Sequence, residues 1–163
     1  MKVFHGSTAI IDKPSVAVGR ANVDFGRGFY LTDLEQQAAS WAARPRNEGK
    51  RQFVNVYDLD LNSALKAGAR YRKFPGYDEE WLAFIASCRR GGKEWADYDI
   101  IEGGIANDRI FNTLELYMSG LISTEETLQR LACEKPNNQI CILNQNIVDK
   151  YLHFETAKEV TQS

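Results

Sequence analysis

Alternation and spacing of apolar residues along the chain mark out a mixed set of strands and helices. Val3-Phe4 is a short apolar pair stopped by Gly6-Ser7, which predicts a brief first strand that delivers His5 to its end. From there to Gly28 no periodicity is sustained, and the stretch reads as loop. Phe29-Tyr30-Leu31-Thr32 favours extended backbone. Asp33 with Gln36 three positions on has the form of a capping box, opening a helix through about Ala43, ahead of Pro45, with Leu34, Ala38, Trp41 and Ala42 on one face. The β-branched and aromatic run Phe53–Leu59 predicts a strand, and Asp78 opens a helix carrying Trp81, Leu82, Ile85 and Cys88.

Residues 98–102 read as another strand, ending at Gly103-Gly104. Asn107 or Asp108 then caps a helix with the apolar stripe Phe111, Leu114, Met118 and Leu121. A shorter helix runs from Ser123 to Leu131, residues 139–143 predict a strand, and residues 151–154 the last one. There is no internal repeat, and the order lacks regular βαβ alternation, so the expected class is α+β.

The 163 residues, 44% of them apolar and 26% charged, suit one domain spanning 1–163. Twenty Lys and Arg against 22 Asp and Glu leave a net charge of −2, which provides no global attraction to nucleic acid or acidic lipid. That charge is unevenly spread: residues 44–93 carry eleven basic and six acidic side chains, and residues 94–163 carry five and twelve. The middle surplus (Arg44, Arg46, Lys50, Arg51, Arg70, Arg72, Lys73, Arg89, Arg90, Lys93) either lines a surface for a phosphate-bearing partner or forms a solvated face, the second being the commoner case. Three cysteines without the spacing of a zinc or redox motif favour a reducing compartment, and two histidines at opposite ends argue against a metal site. Without a signal-like N-terminus or an apolar run of about 20 residues, the expectation is a cytoplasmic protein that does not span a membrane.

Asp24-Phe25-Gly26-Arg27-Gly28-Phe29-Tyr30 is a glycine-hinged turn feeding a strand, where backbone amides can approach a ligand. Neither a dinucleotide fingerprint nor a phosphate loop fits it, because Gly28 leads into extended residues and no Gly-Lys-Ser/Thr follows. Taken with His5-Gly6-Ser7 and the late strand at Gln139, it resembles the ADP-ribosyltransferase superfamily. The nearest branch is the one with a His-Tyr-Glu type triad seen in poly-ADP-ribose polymerases, together with small bacterial domains encoded as toxins beside a short partner protein. The resemblance touches residues 3–43 and 98–154 and implies a split antiparallel sheet with peripheral helices.

Carried over residue by residue, the resemblance implies catalytic positions at His5, Tyr30 and Gln139. His5 would hold a hydroxyl of the adenosine ribose, Gly6 and Ser7 would read the nicotinamide carboxamide, and Tyr30 and Trp41 would sandwich the ring. Phe25, Gly26 and Gly28 would shape the loop, with Arg20 and Arg27 neutralising the pyrophosphate. Gln139 stands where the family has a glutamate. Glutamine can hydrogen-bond a ribose hydroxyl but supplies no negative charge, which disfavours polymer elongation. Either one ADP-ribose is transferred without that carboxylate, or another acid such as Glu102 replaces it; the first is favoured, Glu102 being the polar end of a strand.

The expectation is an NAD-dependent mono-ADP-ribosyltransferase, by resemblance a bacterial toxin with a cognate antitoxin, acting on a protein or nucleic-acid acceptor. An NAD glycohydrolase of the same fold and a non-catalytic NAD, ADP-ribose or protein-binding module are the alternatives. Read singly, each residue has a plainer role: His5 as a core histidine satisfied by backbone, Tyr30 and Trp41 as core aromatics, and Gln139 as an exposed strand residue.

Overall fold

The computed structural model describes residues 1–20 and 23–161. Among them are seven strands and six α-helices, in the α+β class expected, arranged around two sheets. The first is wholly antiparallel, with β1 (Lys2–Ser7), β3 (Phe53–Leu59) and β7 (Leu152–Glu159) in the order β1-β3-β7. The second runs β2 (Phe29–Leu31), β6 (Asn138–Ile142), β5 (Ile100–Gly104) and β4 (Tyr71–Lys73). It is mixed, not wholly antiparallel, because β4 lies parallel to β5. The sheets pack across a shared core that includes Val3, Tyr57 and Leu59 from the first and Phe29, Leu31 and Ile140 from the second, and a backbone bridge joins them: the Phe4 N–H donates to the Thr32 carbonyl at 2.8 Å, and the Thr32 N–H returns a bond to Phe4 at 3.0 Å.

Helix α1 (Glu35–Ala42) packs on the first sheet, burying Ala38 beside Phe4, Val54 and Val56 and Ala42 one turn on. Its start corrects the capping-box expectation. The N-cap is Leu34, without a side-chain cap, and Thr32 Oγ1, not Asp33, takes the Leu34 N–H at 3.2 Å. Leu34 itself is exposed. Helices α3 (Glu79–Arg89), α4 (Asp108–Met118) and α5 (Thr124–Leu131) cover the second sheet, each with the cap its sequence advertises at Asp78, Asn107 and Ser123. The stripe of α4 differs from that expected: Ile110 and Leu114 are buried, Phe111 is exposed, and Leu121 lies beyond the helix end, exposed as well.

Short elements fill the remainder. Helix α2 (Leu61–Lys66) is capped by Asp60, whose carboxylate accepts from the Ser63 N–H, and α6 (Gln145–Tyr151) by Asn144. Strand β4 has three residues and is anchored by Asp99. That carboxylate receives the Arg70 guanidinium at 3.0 Å, the Arg70 N–H at 2.8 Å and the Asn144 amide, and the guanidinium most of all holds it down to about 2 against the opposing effect of burial. Residues 151–154 were expected as the closing strand; Tyr151 instead ends α6, and β7 runs on to Glu159 because β3 pairs with it throughout, across a bulge at Val56/Tyr57. Among the described residues no helix is long and apolar enough to cross a membrane.

Candidate functional site

Where the two sheets part beyond the Phe4–Thr32 bridge, a cleft of about 690 Å³ opens. Its walls come from β1, β2, β6 and α1, from the loop before β2, and from the ends of α3 and α4. Its size falls in the ordinary range for a small-molecule site.

His5 lies inside β1 and not at its end, its ring 4.5 Å from that of Phe29. The Nδ1 atom is 2.7 Å from the Tyr30 carbonyl, which can only accept, so Nδ1 carries the proton and Nε2 is left with a lone pair. Burial lowers the affinity of the ring for a second proton; the Tyr30 carbonyl opposes this and the charge of Arg44 adds to it. His5 is therefore neutral at pH 7, and among the described residues Nε2 has no hydrogen-bond partner.

Gly6 follows for a steric reason. A Cβ here would overlap the Ala38 carbonyl oxygen and crowd the Ala42 nitrogen, so only glycine lets α1 approach β1 this closely. Strand alternation also sets its backbone direction. The Phe4 N–H and C=O bond to Thr32, away from β3, so those of Gly6, two residues on, share that free edge and face the cleft. The Ser7 hydroxyl is engaged locally, donating to the Ala9 carbonyl and accepting from the Ala9 N–H.

The glycine loop is stapled by Tyr30. Its phenol donates to the Gly26 carbonyl at 2.6 Å and accepts the Phe25 N–H at 3.0 Å. Burial, with help from Cys141 and Asp24, pushes the phenol well above its ordinary value, so it stays neutral. Gly26 has φ +84°, and the Trp95 indole occupies the space a Cβ would need; Gly28 likewise abuts Cys141 and the Ile142 carbonyl. Phe25 turns inward, fully buried beside Phe74 and Phe84.

At the other wall Gln139 is 3% exposed, not a solvated strand residue. Its Nε2 lies 3.3 Å from Asp24 Oδ2 and 3.4 Å from the Gly104 carbonyl. Asp24 Oδ1 in turn takes Arg89 Nε at 2.9 Å and Nη2, and the Arg89 guanidinium sits 4.8 Å from the centre of the Phe111 ring. Glu102, the other candidate acid, is buried away from the cleft with Tyr71 and Asn138 as hydrogen-bond partners and Lys73 nearby.

The cleft is electropositive. Arg20, Arg44, Arg46 and Arg89 line it against Asp24 alone, and among the described residues the first three are in no ion pair. Partial desolvation, then the neighbouring charges of Arg46 and Arg20, weaken the hold of Arg44 on its proton, opposed by Asp108 and Asp24. Like charges gathered in a concave site favour an anion. The rest of the basic middle stretch goes elsewhere: Arg70 pairs with Asp99, Arg72 with Glu80, and Lys73 lies 3.8 Å from Glu102.

The fold thus gathers His5, Gly6, Ser7, Arg20, Gly28, Tyr30, Trp41 and Gln139 around one cleft. Three of the residues carried over from the resemblance do not reach it. Phe25 is core, Gly26 is covered by Trp95, and Arg27 is exposed outside the cleft. Sequence reasoning missed the roles of Asp24, Arg44, Arg46 and Arg89. Asp24 directly precedes the Phe-Gly-x-Gly element, and Arg44 and Arg46 flank Pro45 just after α1, so a signal was present in both places.

No curated protein and no solved structure matches the chain. A family model described as a protein of unknown function, DUF3990, matches residues 1–154, nearly the whole length. The chain belongs to the DUF3990 family.

Proposed function

We propose that this protein is an NAD-dependent mono-ADP-ribosyltransferase. One observation carries the reading: among the described residues, the cleft combines hydrogen-bond acceptors lacking donors, a backbone N–H and C=O on one residue, and arginines lacking counter-ions. A ligand that satisfies all three brings hydrogen-bond donors, an adjacent donor and acceptor, and an anion. NAD carries its ribose hydroxyls, its carboxamide and its pyrophosphate in one molecule.

In this reading His5 Nε2 and Gln139 Oε1 accept from ribose hydroxyls, and the Gly6 N–H and C=O pair with the carboxamide. Arg20, Arg44 and Arg46 meet the pyrophosphate. Tyr30 and Trp41, both lining the cleft, offer aromatic faces to the pyridinium ring. The bond between the anomeric carbon and the nicotinamide nitrogen breaks, its electron pair leaving with nicotinamide and an oxocarbenium ion forming. An acceptor nucleophile then attacks that carbon and loses its proton. The chain contributes orientation, desolvation and charge placement. A toxin setting with a small antitoxin rests on the family resemblance alone.

Incubation with labelled NAD and cell lysate, beside Tyr30→Ala and His5→Ala, tests the reading. Label on a macromolecule, lost in both variants, is expected. Nicotinamide release without label identifies a glycohydrolase, and NAD binding without either identifies a non-catalytic module.

A further inference from the structure

The resemblance expects a carboxylate on β6, where this chain has Gln139, and the structure puts a carboxylate immediately behind that position. Gln139 Nε2 faces two groups that only accept, the Asp24 carboxylate and the Gly104 carbonyl. Turning the amide over would set its oxygen against both, so the orientation of this side chain is decided by its surroundings. Both Nε2 protons are thereby committed, and Oε1 is the atom left for a ligand. Oε1 is not sealed in the protein either. Among the described residues Gln52 Oε1 is the one fully buried side-chain polar atom without a partner, so Gln139 Oε1, which also lacks one, opens onto the cleft its residue lines.

Asp24 is itself held. Its Oδ1 is taken by Arg89, which lies against Phe111, and its Oδ2 remains for Gln139. Engaged through both oxygens, Asp24 is held in place between Arg89 and Gln139. Deepening the transferase reading and resting on it, we propose that Asp24 is a positioning residue: fixed by Arg89, it orients the buried Gln139 amide and polarises it, presenting Oε1 to a hydroxyl of the ribose that becomes the oxocarbenium ion. The work of one glutamate is divided between two residues. Gln139 supplies the acceptor, and Asp24 supplies the negative charge one hydrogen bond behind it.

The test compares wild type, Asp24→Asn, Gln139→Glu and the double variant by nicotinamide release from NAD, with NMR observation of the Gln139 side-chain amide. In the single variants the two positions meet badly: Asp24→Asn no longer supplies the charge, and Gln139→Glu sets a second carboxylate against Asp24. In the double variant the amide introduced at position 24 donates to the carboxylate introduced at position 139, while its oxygen stays with Arg89. Asp24→Asn is expected to lower kcat about tenfold or more with KM for NAD changed less than about threefold, and the double variant to recover most of that loss. A positioning role is overturned by wild-type kcat in Asp24→Asn, or by a double variant no better than Asp24→Asn.

The NMR arm separates this proposal from the transferase reading. Slow exchange of both Gln139 amide protons in the wild type, lost in Asp24→Asn, supports the positioning role even if NAD is not turned over. Amide protons that exchange as in a free side chain overturn it whatever the activity, and that measurement stands on the wild type alone should Asp24→Asn not fold.

Discussion

Removing the Tyr30 hydroxyl separates two jobs that the residue could do. In Tyr30→Phe the ring, and any stacking on a ligand, survives, but the staple across the glycine loop is lost. Two hydrogen bonds go: the one donated to the Gly26 carbonyl at 2.6 Å and the one accepted from the Phe25 N–H at 3.0 Å. Phe25 is fully buried, so its N–H is stranded without water, at a cost of about 1–3 kcal/mol, and the lost bond to Gly26 adds about 1 kcal/mol. The sum, about 2–4 kcal/mol, corresponds to a fall in Tm of about 5–15 °C for a chain of this length. Scanning calorimetry of wild type and Tyr30→Phe measures it directly, with NAD affinity determined in parallel by titration calorimetry below the lower Tm. A Tm within about 2 °C of wild type, accompanied by weakened NAD binding, would show that the hydroxyl serves the ligand and not the loop, and the staple argument would fall.

Other substitutions probe other links. Gly6→Ala places a methyl against the Ala38 backbone and forces α1 away from β1, which should cost at least about 2 kcal/mol in urea unfolding; a variant as stable as wild type refutes the close-approach explanation. Burial lowers the His5 pKa below 6.5, the ordinary value that its unfolded form keeps, so between those two values the unfolded chain binds more protons. The stability His5 contributes is then complete above pH 6.5 and falls away as pH drops through 6.5 toward the folded value. His5→Gln should flatten the denaturation midpoint across that window, and an unchanged slope counts against a neutral, buried imidazole. Asp99, held at about 2 chiefly by Arg70, has the same sign in a lower window: its contribution is present above 3.8 and lost as pH falls through about 2. Circular dichroism on acidification should show Asp99→Asn less stable near neutrality and with a shallower acid limb than wild type; a superimposable acid limb removes Asp99 as the anchor of β4.

Much of the scaffold is local and therefore legible in one dimension. The caps at Asp78, Asn107 and Ser123 mark their helices because a side-chain oxygen and the orphan N–H groups it satisfies lie within three residues of each other. The β-branched run Phe53–Leu59 likewise declares β3, and the α+β class follows from the order of such segments. The co-location of His5, Tyr30 and Gln139 was reached only through resemblance, since no periodicity links positions so far apart. The failures share a cause. The helix at α1 starts with Thr32 serving Leu34, a choice settled by the bridge to Phe4; the α4 stripe turns toward Ile110 because the second sheet lies on that side; and β7 outruns its apolar residues because β3 supplies partners along its whole length.

The amino-acid order by itself determined where α3, α4 and α5 begin and which residues could carry chemistry. Tertiary structure decided which of them meet. It turned Phe25 into the core while leaving its neighbour Asp24 beside Gln139, 115 positions away. It also sent Arg44 and Arg46 to the cleft while Arg70, Arg72 and Lys73 lie against carboxylates. Propensity and capping act over a few residues, whereas the charge balance, desolvation and free hydrogen-bonding edges of a site arise from surfaces brought together across the whole chain.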